Sequence, residues 1–174
     1  AELLPRQRLV VDFSYDAGLY CELRDPATGE PAAPSAATLA ELAARMRMLA
    51  ERDLPFTPRA FAPQELARVL AHTGHDAAGR AARYLRQDAV ALFRCEGSER
   101  LFHGLHLPTT AGVRAFDLRP EPPGFVLLPS AAGTPDEAAA FTPQPKLLAT
   151  LREYSRWTEQ QGFADIGSIN HFVV

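Results

Sequence analysis

The side chains best suited to chemistry are concentrated in one stretch of the sequence. They are two histidines, two threonines and two arginines: His103, His106, Thr109, Thr110, Arg114 and Arg119. Imidazole, hydroxyl and guanidinium groups together supply the hydrogen-bond donors that recognise a phosphate or a ribose. The stretch therefore predicts a concave ligand-binding site. The alternative is a solvated loop in which an arginine pairs with Asp117 or Glu121.

Metal binding and covalent catalysis have weaker support in the same residues. On a strand, the spacing of His103 and His106 places them on opposite faces, unless a turn at Gly104 brings them together. The remaining metal-ligating candidates have no zinc-like spacing: Cys21, Cys95, His72 and His75. No Gly-x-Ser-x-Gly segment is present. The sequence predicts neither a metal site nor a catalytic nucleophile.

The lysine content excludes one class of chemistry from this chain. Lys146 is the only lysine, and it stands in Pro-Lys-Leu. A phosphate-binding loop of the Walker type needs a lysine after a glycine and before serine or threonine. These 174 residues therefore hold no such loop.

Composition limits the remaining possibilities. A hydrophobic fraction of 47% is enough for a core, and a net charge of −3 gives no overall attraction to nucleic acid or anionic membranes. Cys21 and Cys95 lie far apart in strand-like runs, which predicts free thiols in a reducing compartment. No apolar run is long enough to span a membrane, and the first residues do not follow a signal-peptide pattern. We expect a cytoplasmic protein.

Periodicity and turn residues predict an α+β fold. Strands are expected at residues 8–15, 19–24, 89–95, 100–104, 114–118 and 124–128. Helices are expected from 38 to about 52, from 63 to near 74, from 76 to about 85, and from 145 to Gly162. Residues 1–4 resemble a helix end, and residues 131–140 a surface loop. Helices flanking an antiparallel sheet are the simplest arrangement of this order.

Two helices have specific sequence features. Thr38 and Glu41 have the spacing of a capping box at the start of the first helix. In the last helix the apolar residues recur at helical spacing, which predicts that they pack in a core: Leu147, Leu148, Leu151, Tyr154 and Trp157.

A set of short motifs occurs in fixed order along the second half of the chain. They are FDL at 116–118, PPGFVLLP at 122–129, QPKL at 144–147 and EYSRW at 153–157. This order resembles the N-terminal region of bacterial uridine kinase-like (nucleoside kinase) proteins, which is similar to the second accessory, or editing, domain of threonyl-tRNA synthetase. The hairpin VVDFSYDAGLYCEL at 10–23 also resembles a hairpin of that synthetase domain.

The resemblance implies that binding and catalysis lie in different parts of one polypeptide. Residues 1–143 would form a synthetase-accessory-like α+β domain, and residues 144–174 a helical segment leading to a P-loop kinase domain on the same polypeptide. The parent protein would transfer phosphate from ATP, with Mg²⁺, to a nucleoside such as uridine. This chain would be a non-catalytic accessory domain without a cofactor of its own, and it would position or recognise a nucleoside, nucleotide or tRNA-like ligand.

The sequence departs from the related patterns at two positions. Phe102 stands where the editing domain has a cysteine, and Ala111 where the kinase-linked version has a glycine. Two alternatives stay open: an editing-like hydrolase acting on mischarged tRNA, and an oligomerisation module. The second would be favoured if the apolar face of the last helix were exposed.

Overall fold

The computed structural model describes residues 4, 6–72, 76–102, 106–163, 165 and 168–170. In these residues the strands are β1 (Arg8–Tyr15), β2 (Gly18–Arg24), β3 (Thr57–Phe61), β4 (Val90–Cys95), β5 (Ser98–Leu101), β6 (Asp117–Glu121), β7 (Gly124–Leu128), β8 (Ser130–Ala131) and β9 (Thr134–Ala138). The helices are α1 (Ala36–Glu51), α2 (Pro63–His72), α3 (Asp76–Ala82) and α4 (Pro145–Gln160).

The fold is of the α+β class, with antiparallel sheets and several helices, as the sequence predicts. Its contacts divide the chain into two compact units. Unit 1 combines Ala1–Asp53 with Thr110–Leu151, and unit 2 combines Leu54–Thr109 with Arg152–Val174. The domain boundary expected between residues 143 and 144 from the resemblance stays a prediction. The helix end expected at residues 1–4 lies outside the described residues except for Leu4.

Unit 1 is built on a four-stranded antiparallel sheet in the order β1-β2-β7-β6. Cross-strand partners share a face of a sheet, so each face has its own core. One face packs on α1 through Cys21, Leu23, Phe125 and Leu118. The other face has a second core, formed by Tyr15, Tyr20, Val126, Leu128 and Leu148.

Gly124 is required by the close packing of this second face. A Cβ atom at Gly124 would collide with the carbonyl oxygen of Cys21 and lie 2.9 Å from the Tyr20 ring. Glycine therefore lets the Tyr20 ring lie across the neighbouring strand. Tyr20 is fully buried there and stacks on Phe13, with ring centroids 5.0 Å apart.

The N-cap of helix α1 lies three residues before the predicted cap. Ser35 is the N-cap, and its hydroxyl oxygen accepts a hydrogen bond from the backbone N–H of Thr38 at 3.0 Å. The capping box predicted at Thr38 and Glu41 is therefore wrong. A serine at 35 provides an equivalent side-chain acceptor earlier, and the alanines at 36 and 37 favour helix.

Unit 2 contains a three-stranded antiparallel sheet in the order β3-β4-β5. Helices α2 and α3 pack on one face of it over a core that includes Phe61, Leu66, Leu70 and Leu92. Pro63 opens α2 as predicted, because its fixed φ suits a first helical position. Helix α3 ends at Ala82 instead of near residue 85.

Two predictions after residue 113 are wrong. The strand expected at 114–118 is β6, which begins at Asp117 and continues through Pro120. Proline is tolerated there because β6 is an edge strand. The loop expected at 131–140 contains β9, which pairs with β8 across a turn at Gly133 with φ of 85°.

Helix α4 ends as predicted, but its exposure differs from the prediction. At its end, Gly162 has φ of 79°, and the Phe163 N–H donates to the Thr158 carbonyl at 2.8 Å, which is a Schellman arrangement. Tyr154 is 63% exposed and Trp157 is 52% exposed, so the prediction that they pack in a core is wrong. Among the helices of the described residues, none is long and apolar enough to cross a membrane.

Candidate functional site

The six predicted ligand-binding residues are distributed between the two units. His106 and Thr109 belong to unit 2, and Thr110, Arg114 and Arg119 belong to unit 1. His103 lies outside the described residues. Neither unit contains all six residues, so the predicted concave site stays a prediction.

His106 lies in a group of four rings on the β4 face opposite the α2–α3 core. The group comprises Phe56, Phe93, Phe102 and His106, and is called the aromatic cluster below. The imidazole of His106 packs edge-on against Phe93 with centroids 3.9 Å apart, and against Phe102 at 5.8 Å. Phe56 approaches both Phe102 and His106, at 6.2 and 6.1 Å.

Two rings of the aromatic cluster are exposed, and the other two are partly buried. Phe102 is 43% exposed, and His106 is also exposed. The Nδ1 atom of His106 lies 2.7 Å from the carbonyl oxygen of Leu107. Since a carbonyl only accepts, Nδ1 carries a proton, and Nε2 is the ring's other polar atom. The cluster therefore presents apolar ring faces and edges beside one polar nitrogen.

The two threonines have different surroundings. Thr110 is only 9% exposed, and its hydroxyl donates to the backbone carbonyl of Leu49 at 2.7 Å. Leu49 lies in the last turn of α1, where carbonyls lack helical partners, so this bond stabilises the helix end. Thr109 forms a backbone bridge with Pro55. The Thr110 hydroxyl therefore has a structural role.

Both arginines pair with a carboxylate. Arg114 forms a two-pronged pair with Asp136, with distances of 2.7 Å from Nε and 3.0 Å from Nη2. Arg119 Nε lies 2.6 Å from an oxygen of Asp117. The alternative considered from sequence, an arginine paired with Asp117, therefore describes Arg119. Both arginines are largely exposed, Asp136 is exposed and Asp117 is partly exposed, so an incoming anion could exchange with the carboxylate.

Arg119 also borders a pocket in unit 1. The pocket has a volume of about 570 Å³ and lies between β6 and the chain after β9. Its charged groups are Asp117, Arg119 and Glu121, and the rest of its wall is apolar, including Leu128 and Phe141. Two carboxylates against one guanidinium make this wall unfavourable for a strongly anionic ligand.

A buried charged network on β2 was not predicted. Glu22 is 3% exposed and accepts from Arg24 Nε at 2.8 Å and from the Tyr20 hydroxyl at 3.3 Å. Asp12 lies 3.8 Å from the same guanidinium. The available signal was a Glu-x-Arg spacing inside an otherwise apolar strand, which places both charges on one face.

The aromatic cluster was also missed, and its signal was present in the sequence. In β4, Leu92 faces the helices and Phe93 faces the opposite side, so both faces of the strand are apolar. Such a strand predicts a cover on its second face. That cover comes from Phe102, just after the neighbouring strand β5, and from Phe56, which is distant in sequence, and only the tertiary pairing reveals it.

Thiol and metal chemistry have little support in the described part of the chain. Burial raises the pKa of the Cys21 thiol to about 11, which makes it a poor nucleophile at neutral pH. Within the described ranges, no group of three or more His, Cys, Asp or Glu side chains could hold a metal ion. The comparisons add no assignment, since neither the family models nor the curated proteins searched match the chain.

Proposed function

We propose that this chain is a non-catalytic accessory domain of a cytoplasmic nucleoside kinase-like protein, and that it binds the nucleoside moiety of a ligand. ATP and Mg²⁺ would be bound by a P-loop kinase domain of the same polypeptide. The motif order from FDL to EYSRW supports the parent class. The ligand class is supported by the rings at the end of β5.

The observation that carries the proposal is the partial exposure of Phe102 and His106 within the aromatic cluster. Exposed ring faces stack on nucleobases with little dependence on base identity, at about 1–3 kcal/mol per base. The His106 ring adds a polar atom, Nε2, that can hydrogen-bond to a base edge or a ribose hydroxyl. Phe93 and Phe56 support the two exposed rings from behind.

The accessory role is supported by the position of the only lysine. Lys146 lies in the first turn of α4, directly after Pro145. A lysine there has no glycine-rich loop in front of it, and such a loop is what cradles the phosphates of ATP. We therefore expect the purified chain neither to hydrolyse ATP nor to phosphorylate uridine. Mg²⁺-dependent turnover by the pure chain would contradict this.

The ligand proposal is tested by titrating the chain with uridine, UMP and a tRNA acceptor-stem mimic. Loss of one stacked ring in Phe102→Ala should weaken binding at least about tenfold, and so should His106→Ala. Tyr154→Ala is the matched control, because it removes an exposed ring from another surface. If all three variants bind alike, the aromatic cluster is not the site.

Arg119 belongs to unit 1, so its predicted contact with a ligand phosphate is tested separately from the aromatic cluster. If Arg119 leaves Asp117 to contact a ligand phosphate, Arg119→Ala should weaken UMP binding about tenfold and leave uridine binding unchanged. If UMP and uridine lose affinity equally, or neither does, Arg119 does not contact the phosphate.

An oligomerisation module is the second candidate, and the exposure of Tyr154 and Trp157 favours it. The two rings lie on one face of α4, with centroids 6.1 Å apart. Large exposed aromatic residues are enriched at protein interfaces. Trp157→Ala should then reduce self-association measured by sedimentation. No observation favours the editing hydrolase, because the phenyl ring of Phe102 can act neither as a nucleophile nor as a metal ligand.

A further inference from the structure

The two edges of the four-stranded sheet in unit 1 differ in their unpaired backbone groups. A two-residue turn joins β6 to β7, with Glu121 opposite Gly124. That closing pair is hydrogen-bonded, and alternation then directs the backbone groups of Pro120 and Leu118 outward. Pro120 has no N–H, and the Leu118 N–H donates to the Asp117 carboxylate at 2.8 Å. The β6 edge therefore offers an incoming strand no N–H from these two residues.

The β1 edge, in contrast, offers outward-directed backbone N–H groups to an incoming strand. Its turn pairs Tyr15 with Gly18, and a bulge between Val11 and Phe13 shifts the register by one residue. Counting from the turn, the outward backbone groups after the bulge belong to Val11 and Leu9. No hydrogen bond outside the ladder involves either residue within the described part of the chain. Two N–H and two C=O groups are thus available along this edge.

The side chains of the same two residues are apolar and exposed. Leu9 is 55% exposed and Val11 is 52% exposed. Their cross-strand partners, Leu23 and Cys21, are buried against α1 on the same face. The apolar face of the sheet therefore continues to the edge, where its last two side chains are uncovered. An open edge with apolar side chains favours pairing with another strand.

We propose that β1 pairs antiparallel with β1 of a second copy of this chain, about a two-fold axis at Val10. Outward-facing residues must lie opposite one another, so the possible registers pair Leu9 with Leu9, Leu9 with Val11, or Val11 with Val11. Only the Leu9–Val11 register also places Arg8 opposite Asp12 of the second copy. Arg8 is exposed, and no ion pair is recorded for it among the described residues. Both apolar side chains are then covered. At each end Arg8 faces the Asp12 carboxylate of the other copy, which also lies 3.8 Å from Arg24 of its own chain.

The first test measures association. Sedimentation of the 174-residue chain should show a dimer that dissociates on dilution from about 1 mM, the dissociation constant of a marginal complex. Val11→Lys should make the chain monomeric, because it places two charges in the pairing. Leu107→Lys is the matched control, since Leu107 is an exposed leucine elsewhere. Circular dichroism checks that both variants fold.

The second test fixes the register. At the two-fold axis, two Val10 residues form a non-hydrogen-bonded pair with Cα atoms about 4.5 Å apart, within the range of a disulfide. In the Cys95→Ser background, Val10→Cys should therefore cross-link two chains under mild oxidation. Leu9→Cys should not, because an offset of two residues along the strands separates those Cα atoms by more than about 7 Å.

The outcomes decide for or against the pairing. A dimer that is lost in Val11→Lys and trapped by Val10→Cys supports it. A chain that is monomeric at about 1 mM overturns it, as does a dimer that survives Val11→Lys. Cross-linking of Leu9→Cys as fast as Val10→Cys would overturn the register. A dimer lost only in Trp157→Ala assigns association to α4 instead.

Discussion

The two halves of the four-stranded sheet, β1 with β2 and β7 with β6, each contain an acidic residue paired with an arginine two positions later. The two ion pairs differ in their exposure to solvent. On β2, Glu22 and Arg24 lie two residues apart and pair at 2.8 Å, with side-chain exposures of 4% and 14%. On β6, Asp117 and Arg119 have the same spacing and pair at 2.6 Å, with exposures of 31% and 60%. Desolvation separates them: a buried charge depends on its partner, whereas an exposed charge is solvated with or without one.

The unpaired backbone groups at the two sheet edges show the opposite trend: the edge near the buried ion pair is open, and the edge near the exposed ion pair is closed. The side with the buried ion pair has the open edge, β1, and the side with the exposed pair has the closed edge, β6. Asp117 connects the two properties on β6, because one oxygen pairs with Arg119 and the other accepts from the Leu118 N–H. An exposed ion pair of little energetic value can therefore protect a sheet edge.

The largest expected effect comes from breaking the buried pair. Glu22→Ala should lower the free energy of unfolding by about 3 kcal/mol, because it leaves the Arg24 guanidinium without its nearest carboxylate. Denaturant titration measures the change, and Glu22→Gln keeps the shape as a control. A loss below about 1 kcal/mol would mean that the buried pair behaves like the exposed one.

The alkylation rate of Cys21 tests whether solvent reaches the core behind the open β1 edge. The folded-state pKa of Cys21 is about 11, above its ordinary value of 9.0, because the thiol is buried. At pH 8 its thiolate fraction is about 100-fold lower than in the unfolded chain, so alkylation should be at least that much slower. Mass spectrometry after iodoacetamide labelling measures this, with the half-buried Cys95 as internal reference.

The same thiol sets a pH dependence of stability. Its pKa is raised on folding, so its contribution to stability is complete below pH 9 and is lost as the pH rises toward 11. Cys21→Ala should remove that part of the alkaline decline in unfolding free energy. An identical decline in Cys21→Ala and the parent chain would contradict the assignment.

Opening the closed edge should create a second association surface. Pro120→Thr restores an outward N–H, and Asp117→Ala releases the N–H of Leu118. The double variant should form oligomers larger than a dimer, because both sheet edges can then pair. Light scattering against the parent chain measures this. Unchanged particle size would show that these two groups are not what closes the β6 edge.

The smallest effect is expected for the exposed pair. Arg119→Ala should change the free energy of unfolding by less than about 1 kcal/mol, since both partners stay hydrated. Comparison with Arg24→Ala in the same denaturant series gives the contrast directly. An equal loss of unfolding free energy in the two variants would mean that the buried and the exposed ion pair do not differ in their contribution to stability.

Several predictions that rest on local backbone chemistry are confirmed, although the cap predicted at Thr38 is not. The hairpin of β1 and β2 follows from alternating apolar residues around Asp16-Ala17-Gly18. Pro63 opens α2, and Gly162 closes α4 in the conformation that glycine favours. Each of these features depends on residues within a few positions of one another, so the sequence is enough to predict it.

Predictions that needed long-range information are wrong or incomplete. Tyr154 and Trp157 have the spacing of a core face, but the structure leaves them exposed. Periodicity identifies an apolar face without saying what covers it. The start of β6 and the strand β9 were also missed, because pairing with β7 and β8 defines them.

The sequence by itself determined the α+β class, the β1–β2 hairpin, the start of α2, the end of α4 and the absence of a Walker lysine. Only the tertiary structure decided which charges are buried, which rings meet and which sheet edge is open. Glu22 and Asp117 have the same local spacing to an arginine. Phe56 and Phe93 both contact Phe102 only because the tertiary fold brings them together. Burial depends on residues distant in sequence, and solvent access then sets the energy of each contact.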